Sequence, residues 1–154
     1  MFSGLFFCFW LIFDSKNYSV ENVTRVGCLA HARRYYTDAL KALPKEAQIE
    51  STYAHAATKF FKEMFILEDK YKDFSPDERL SLRQSQLKPI FQAYLSWLQE
   101  VQPKVVPRSS LGKAISYSLS NWDLITNILK DGQCELSNNA AERQIKPFVI
   151  GRKN

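Results

Sequence analysis

The chain has 154 residues, enough for one domain or for one large part of a bigger one. Its hydrophobic fraction of 45% and aromatic fraction of 14% are sufficient for a packed core, which excludes wholesale disorder. The net charge of +5 fits a polyanionic partner such as nucleic acid, and it fits a mildly basic soluble protein equally well. The 3 cysteines have no framework spacing, which favours a reducing, cytoplasmic setting.

The first 13 residues, MFSGLFFCFWLIF, are almost wholly apolar. This run is shorter than the about 20 residues that span a bilayer, and it lacks the basic start and small-residue cleavage site of a signal peptide. We therefore expect no membrane association. The run is either a buried central strand, since such strands are continuously apolar, or a non-native start in a chain that is truncated or shifted in frame.

From Cys28 onward, apolar residues recur at helical spacing. The pattern predicts a first helix from about Cys28 to Pro44 and a second from about Glu46 to Tyr71. A third helix should start at the capping sequence of residues 75–78, SPDE. We expect Pro89 to kink or break that third helix.

Two more helices are predicted after a proline-punctuated linker at residues 102–107. The fourth is capped by Ser109 or Ser110, and the fifth ends at Lys130 with Gly132 in the C′ position of a glycine cap. Residues 28–130 should therefore form a helical bundle. Much of its core should come from Phe60, Phe61, Phe65, Phe91, Tyr94, Trp97 and Trp122.

The segment most suggestive of chemistry is residues 137–147, SNNAAERQIKP. Its Ser-Asn-Asn start predicts a capped helix in which Glu142 lies one turn in, where the helix dipole favours the ionised carboxylate. A carboxylate among phosphate-binding cations is what a divalent-metal phosphodiester site needs. A surface helix with a stabilising first-turn glutamate is the alternative. The candidate phosphate-binding residues are Arg143, Lys146, Arg152 and Lys153.

A second candidate is Cys28-x-x-His31, which is half of a zinc site without a second pair. At helical spacing the two side chains share a face, so packing and hydrogen bonding is the favoured interpretation over metal binding. The neighbouring Arg33 and Arg34 either contact DNA or form the solvated face of an amphipathic helix.

Four blocks of sequence, taken in order, resemble transposases of the insertion sequence 66 family, and together they cover roughly residues 20–154. The first is residues 26–36, VGCLAHARRYY, and the second is residues 78–84, ERLSLRQ. The third is residues 111–117, LGKAISY. The fourth is residues 138–147, NNAAERQIKP, followed by GRKN at residues 151–154.

The resemblance implies a mainly α chain: a helical insertion plus a remnant of a ribonuclease H-like α/β catalytic core. Residues 1–20 would be an apolar N-terminus that does not match the family, and residues 21–154 a partial catalytic region with the insertion at about 46–130. Glu142 matches the glutamate of an Asp-Asp-Glu triad that binds Mg²⁺ or Mn²⁺ in the intact enzyme. The family signature also includes Cys28, His31, Asn138, Asn139 and Arg143.

Departures from the family bear on activity. The strand with the first aspartate would precede Met1, and the second aspartate is expected in an Asp-Gly-Tyr context that Asp14 lacks, so its role stays open. We expect a fragment of a DNA transposase that is inactive alone and binds no metal by itself. The alternatives are a non-catalytic helical module that binds DNA, a full-length transposase or another copy of itself, and an unrelated basic helical interaction protein.

Overall fold

The computed structural model describes residues 24–43, 52–134 and 136. Over these ranges the chain is helical and contains no β-strand, which confirms the mainly α expectation. The apolar run of residues 1–13 lies outside the described residues, as does the predicted helix around Glu142, so the ribonuclease H-like remnant stays a prediction. The helices are α1 (Leu29–Lys41), α2 (Tyr53–Tyr71), α3 (Pro76–Leu82), α4 (Lys88–Val101), α5 (Ser110–Ser120) and α6 (Trp122–Thr126).

Helix starts follow the polar caps in the sequence. Ser75 and Glu78 form the predicted capping box, in which each side chain satisfies a backbone N–H at the start of α3. Ser109 caps α5 by accepting from the backbone N–H of Gly112 at 3.0 Å. Helix α2 begins several residues later than expected, because Thr52 is extended and its hydroxyl accepts a hydrogen bond from the third helical N–H.

Pro89 does not break the third predicted helix. Residues Arg83–Leu87 form a π turn that joins α3 directly to α4, with Pro89 in the first turn of α4. Proline has no N–H to donate and its ring crowds the carbonyl one turn earlier, and the wider turn relieves that conflict without interrupting the helix. The outcome is a continuous helical path with a local change of geometry at residues 83–87.

The core lies between α1, α2, α4 and α5. Phe61, Phe91 and Tyr94 of the predicted core are fully buried, and the other four predicted aromatics pack against the core while partly buried. At its centre the hydroxyl of Tyr94 lies 2.9 Å from that of Tyr36 and 2.8 Å from that of Ser118. The predicted bundle is thus confirmed, with a small polar triangle inside it.

Gly132 is present for a different reason from the one expected. It follows the 3-10 turn Asn127–Lys130 that continues α6, but its backbone does not have the left-handed conformation of a C′ glycine. A Cβ at this position would overlap the carbonyl oxygen of Pro76. The glycine therefore permits the chain after α6 to pass against the start of α3.

Candidate functional site

Two stretches that are distant in sequence meet at the N-terminus of α1. The extended residues before α1 lie along α6, since the Gly27 N–H donates to the Leu124 carbonyl at 2.7 Å. The Asn127 side chain donates to the Arg25 carbonyl at 2.8 Å. The Leu29 N–H donates to the Leu136 carbonyl at 3.2 Å. The chain therefore enters the bundle and leaves it at the same place.

The departing stretch, residues 128–134, is held by a buried arginine. The side chain of Arg83 is 0% exposed, and its guanidinium donates to the carbonyls of Ile128 at 3.2 Å, Cys134 at 2.6 Å and Asp131. On its other side the guanidinium pairs with both carboxylate oxygens of Glu68, a side chain that is 14% exposed. Two fixed charges and three carbonyls are satisfied together, which is the condition for burying an ion pair.

Two neighbours of Arg83 extend the same contact. The side-chain amide of Gln84 donates to the Leu129 carbonyl. The guanidinium of Arg79 donates to the Gly132 carbonyl at 3.2 Å and to the carbonyls of Tyr71 and Lys72 at the end of α2. We refer to Arg79, Arg83 and Gln84 as the carbonyl clamp. All three belong to the ERLSLRQ block, for which the sequence alone indicated no physical role.

One feature of the sequence indicates that Arg83 is buried, although it identifies neither the clamp nor its partners. Arg83 occupies the apolar register of its helix, in line with Leu87 and Phe91 at successive intervals of four residues. A charged side chain in an apolar stripe requires a buried partner. The partner, Glu68, cannot be identified from spacing because it lies on another helix.

The predicted pair Cys28 and His31 lies at the start of α1. Cys28 is the extended residue before the helix, and its carbonyl accepts from the His31 N–H at 3.1 Å. Both residues are half-buried. One helical turn further, Tyr35 stacks on Tyr117 with ring centroids 4.5 Å apart, and burial chiefly raises the pKa of Tyr117, with Tyr35 and Cys28 adding to the rise. Within residues 24–43, 52–134 and 136, no group of three or more His, Cys, Asp or Glu side chains is placed to hold a metal ion.

Arg33 borders an open groove between α1 and α2. Its guanidinium carbon lies 5.7 Å from the ring centroid of Phe65, within the range of a cation–π contact. Lys62 and Lys70 line the same groove with Ile66 and Asp69. The exposed Arg34 does not line it. Three cations and one carboxylate make this groove electropositive, and Phe65 and Ile66 supply its apolar surface.

The other predicted site residues lie outside the described residues. They are Glu142, Asn138, Asn139, Arg143, Lys146, Arg152 and Lys153. Leu136, placed against α1, is the described position closest to them in sequence. Their roles stay predictions.

Comparison with known proteins decides the family. The protein-family model described as "Transposase IS66 family" matches residues 13–154, nearly the whole chain. The chain belongs to the IS66 transposase family. The match includes the stretch on each side of the bundle, together with the blocks that carry Cys28, the clamp and Glu142. Membership of this family relates the chain to transposition and to mobile elements.

Three curated relatives come from Sinorhizobium fredii. The uncharacterized protein y4hP is 34% identical over 139 residues, which are 86% of this IS66 family chain and 25% of the relative. For y4jD the identity is 31% over 82% of this chain and 24% of the relative, and for y4qI it is 30% over 91% and 25%. The chain thus spans about a quarter of the length of these relatives. No solved structure matches.

Across the part of this IS66 family chain that the structure describes, no helix combines the length and apolar character needed to cross a membrane.

Proposed function

We propose that this chain is the helical insertion and the glutamate-bearing edge of a transposase that cuts and joins DNA strands. The observation that carries the proposal is the hydrogen bond between the Leu29 N–H and the Leu136 carbonyl, 3.2 Å long. A unit inserted into another fold needs its two ends close together, so that the host chain continues almost undisturbed. The bundle has this property at the border of the two stretches that resemble the catalytic core.

In the intact enzyme, Glu142 and two aspartates would hold Mg²⁺ or Mn²⁺, which prefer such oxygen ligands. The metal would stabilise the attacking and leaving oxygens of a phosphodiester. This chain contains one residue, Glu142, that matches the triad in its family context, while Asp14 lacks the Gly-Tyr that should follow it. We propose that the chain alone holds no metal and cleaves no DNA.

DNA contact by this chain is proposed to use the groove between α1 and α2. Arg33, Lys62 and Lys70 supply positive charge there, and Asp69 subtracts little because it pairs with Lys72 at 3.5 Å. Such contacts would be to phosphates and thus independent of sequence. Neutralising each phosphate releases counterions, so the affinity should fall steeply as salt rises.

A salt titration of DNA binding tests this function. Fluorescence anisotropy with a labelled duplex would compare the wild type with Arg33→Gln/Lys62→Gln, from which two groove cations are removed. The matched control, Arg108→Gln/Lys113→Gln, removes two exposed cations that lie outside the groove. The groove variant should bind more weakly and lose about one unit of salt slope per cation removed, while the control keeps the wild-type slope.

Two outcomes would contradict the proposal. A wild-type chain that retains no DNA at low salt would remove DNA contact from the functions of this chain. Equal losses in the groove variant and the control would show that binding follows net charge alone and has no preferred surface.

A further inference from the structure

The segment after α6 has few backbone hydrogen bonds of its own. Residues 131–134 lie outside any helix, and their carbonyls therefore need other donors if they are to be buried. The donors come from one short stretch of another helix, since Arg79, Arg83 and Gln84 together donate to the carbonyls of Ile128, Leu129, Asp131, Gly132 and Cys134. The path of the departing chain is thus set by side chains of the clamp.

The guanidinium of Arg83 is itself held in place. Glu68 on α2 accepts from its Nε at 3.1 Å and from Nη2, which fixes the plane of the guanidinium. Nη1 and Nη2 then donate to the departing carbonyls, as the rigid fork of arginine allows. Lysine could not reproduce this arrangement, because it offers a single flexible donor group.

Arg83 and Gln84 also occupy the π turn. Turns of this kind are rare in proteins overall, but those that occur are often found at functional sites. They change the direction of side chains that a regular α-helix would fix. Here the two donors of the π turn reach carbonyls of the same short segment, Ile128 to Cys134.

We propose that Arg83, with Arg79 and Gln84, positions the polypeptide that leads from the bundle to Glu142. The clamp fixes the chain from Ile128 to Cys134, the Leu29–Leu136 hydrogen bond fixes the position of Leu136, and Glu142 follows six residues later in the sequence. This inference rests on the proposed role of Glu142. The clamp residues are positioning residues, since they contact neither metal nor DNA in this arrangement.

Hydrogen–deuterium exchange of the full 154-residue chain, followed by mass spectrometry, tests the proposal. Gln84→Glu keeps the shape of an exposed side chain and removes the amide that donates to Leu129. Exchange in peptides of residues 128–136 should become about tenfold faster, the factor expected for one net hydrogen bond. Peptides of α4 should be unchanged. The control, Gln92→Glu, changes an exposed glutamine of α4 and should leave residues 128–136 at the wild-type rate.

A second variant separates positioning from simple stability. Glu68→Leu/Arg83→Met replaces the ion pair with apolar side chains, so that neither charge is left buried alone, and removes the donor to three carbonyls. Those carbonyls can then be satisfied only by water, so local exchange at residues 128–136 should rise by more than in Gln84→Glu while exchange in α4 stays near the wild-type rate.

Three results would overturn the proposal. The first is complete exchange of residues 128–136 in the wild type at the earliest time, and the second is equal acceleration in those residues and in α4. The third is wild-type exchange of residues 128–136 in both variants. None of these measurements contains DNA or metal, so a failed clamp and a failed DNA-binding proposal are distinguished from each other.

Discussion

Removing the hydroxyl of Tyr94 gives the sharpest test of the core. In Tyr94→Phe the ring remains and two buried hydrogen bonds are lost, at 2.9 Å to Tyr36 and at 2.8 Å to Ser118. Ser118 still donates to the Ala114 carbonyl at 3.1 Å, and Tyr36 and Ser118 remain 3.2 Å apart, so neither hydroxyl is stranded. Because Tyr36 can then donate to Ser118, one of the two lost hydrogen bonds is replaced, and the free energy of unfolding should fall by the net value of one hydrogen bond, about 1 kcal/mol.

The assay is equilibrium urea unfolding followed by circular dichroism, with a thermal scan as a second readout. For a chain of this size, about 1 kcal/mol corresponds to a drop in Tm of roughly 2–4 °C. The matched control is Tyr53→Phe, because Tyr53 is 40% exposed and should change stability by less than about 0.5 kcal/mol. If Tyr94→Phe were as stable as this control, the hydroxyl triangle would not exist as described.

Three further predictions concern packing, pH and catalysis. Gly132→Ala should lower the free energy of unfolding by at least about 2 kcal/mol in urea titrations, because the new methyl overlaps the backbone of Pro76. Burial raises the pKa of Tyr36 and raises that of Tyr94 well above its usual range, so both stay protonated when folded. The unfolded chain releases these protons first. Stability should therefore be intact below about pH 10 and fall above it, by up to about 1.4 kcal/mol per pH unit for each tyrosine. Incubation of terminal-repeat DNA with manganese should give no cleavage that differs between this chain and its Glu142→Gln variant.

Each of these predictions has a result that would contradict it. The control for Gly132→Ala is Ser116→Ala, an exposed change on α5 that should alter the free energy of unfolding by less than about 0.5 kcal/mol. A Gly132→Ala variant as stable as this control would contradict the close approach of Gly132 to α3. Stability that stays flat between about pH 9 and about pH 11 would contradict the tyrosine linkage. Cleavage abolished by Glu142→Gln would mean that another acid completes a metal site.

The local features of the bundle were predictable because they depend on neighbouring residues. The capping box of Ser75 and Glu78 follows from two side chains three positions apart, and the aromatic core follows from helical spacing. The late start of α2 at Thr52 was missed because residues before it also suit a helix, and the cap decides the boundary only where its hydroxyl meets the helical N–H.

The clamp was not predictable, because it joins three places that sequence spacing does not connect. Arg83 pairs with the carboxylate of Glu68 across 15 positions and donates to the backbone carbonyl of Asp131 across 48. The rule for helix C-termini predicted a C′ role for Gly132. Glycine is instead required there because the backbone of Pro76, a residue far away in sequence, lies too close for a Cβ. The family resemblance singled out the ERLSLRQ block, but the interactions of its side chains appear only in three dimensions.

The hydrogen bond between Leu29 and Leu136 has a consequence for how such a chain can change over time. About a hundred residues separate these two positions in sequence, yet the positions are hydrogen-bonded neighbours. A fold that contained this bundle as an insertion would therefore have to accommodate only two closely spaced chain ends. Lengthening or shortening its helices or loops would alter the loop-closure entropy by only a fraction of a kcal/mol, because that entropy grows with the logarithm of length. The part that must be kept is the contact between the residues that precede α1 and the residues that run from α6 to Leu136. We therefore expect variation in bundle size to be tolerated, and changes at residues 25–29 and 124–136 to be resisted.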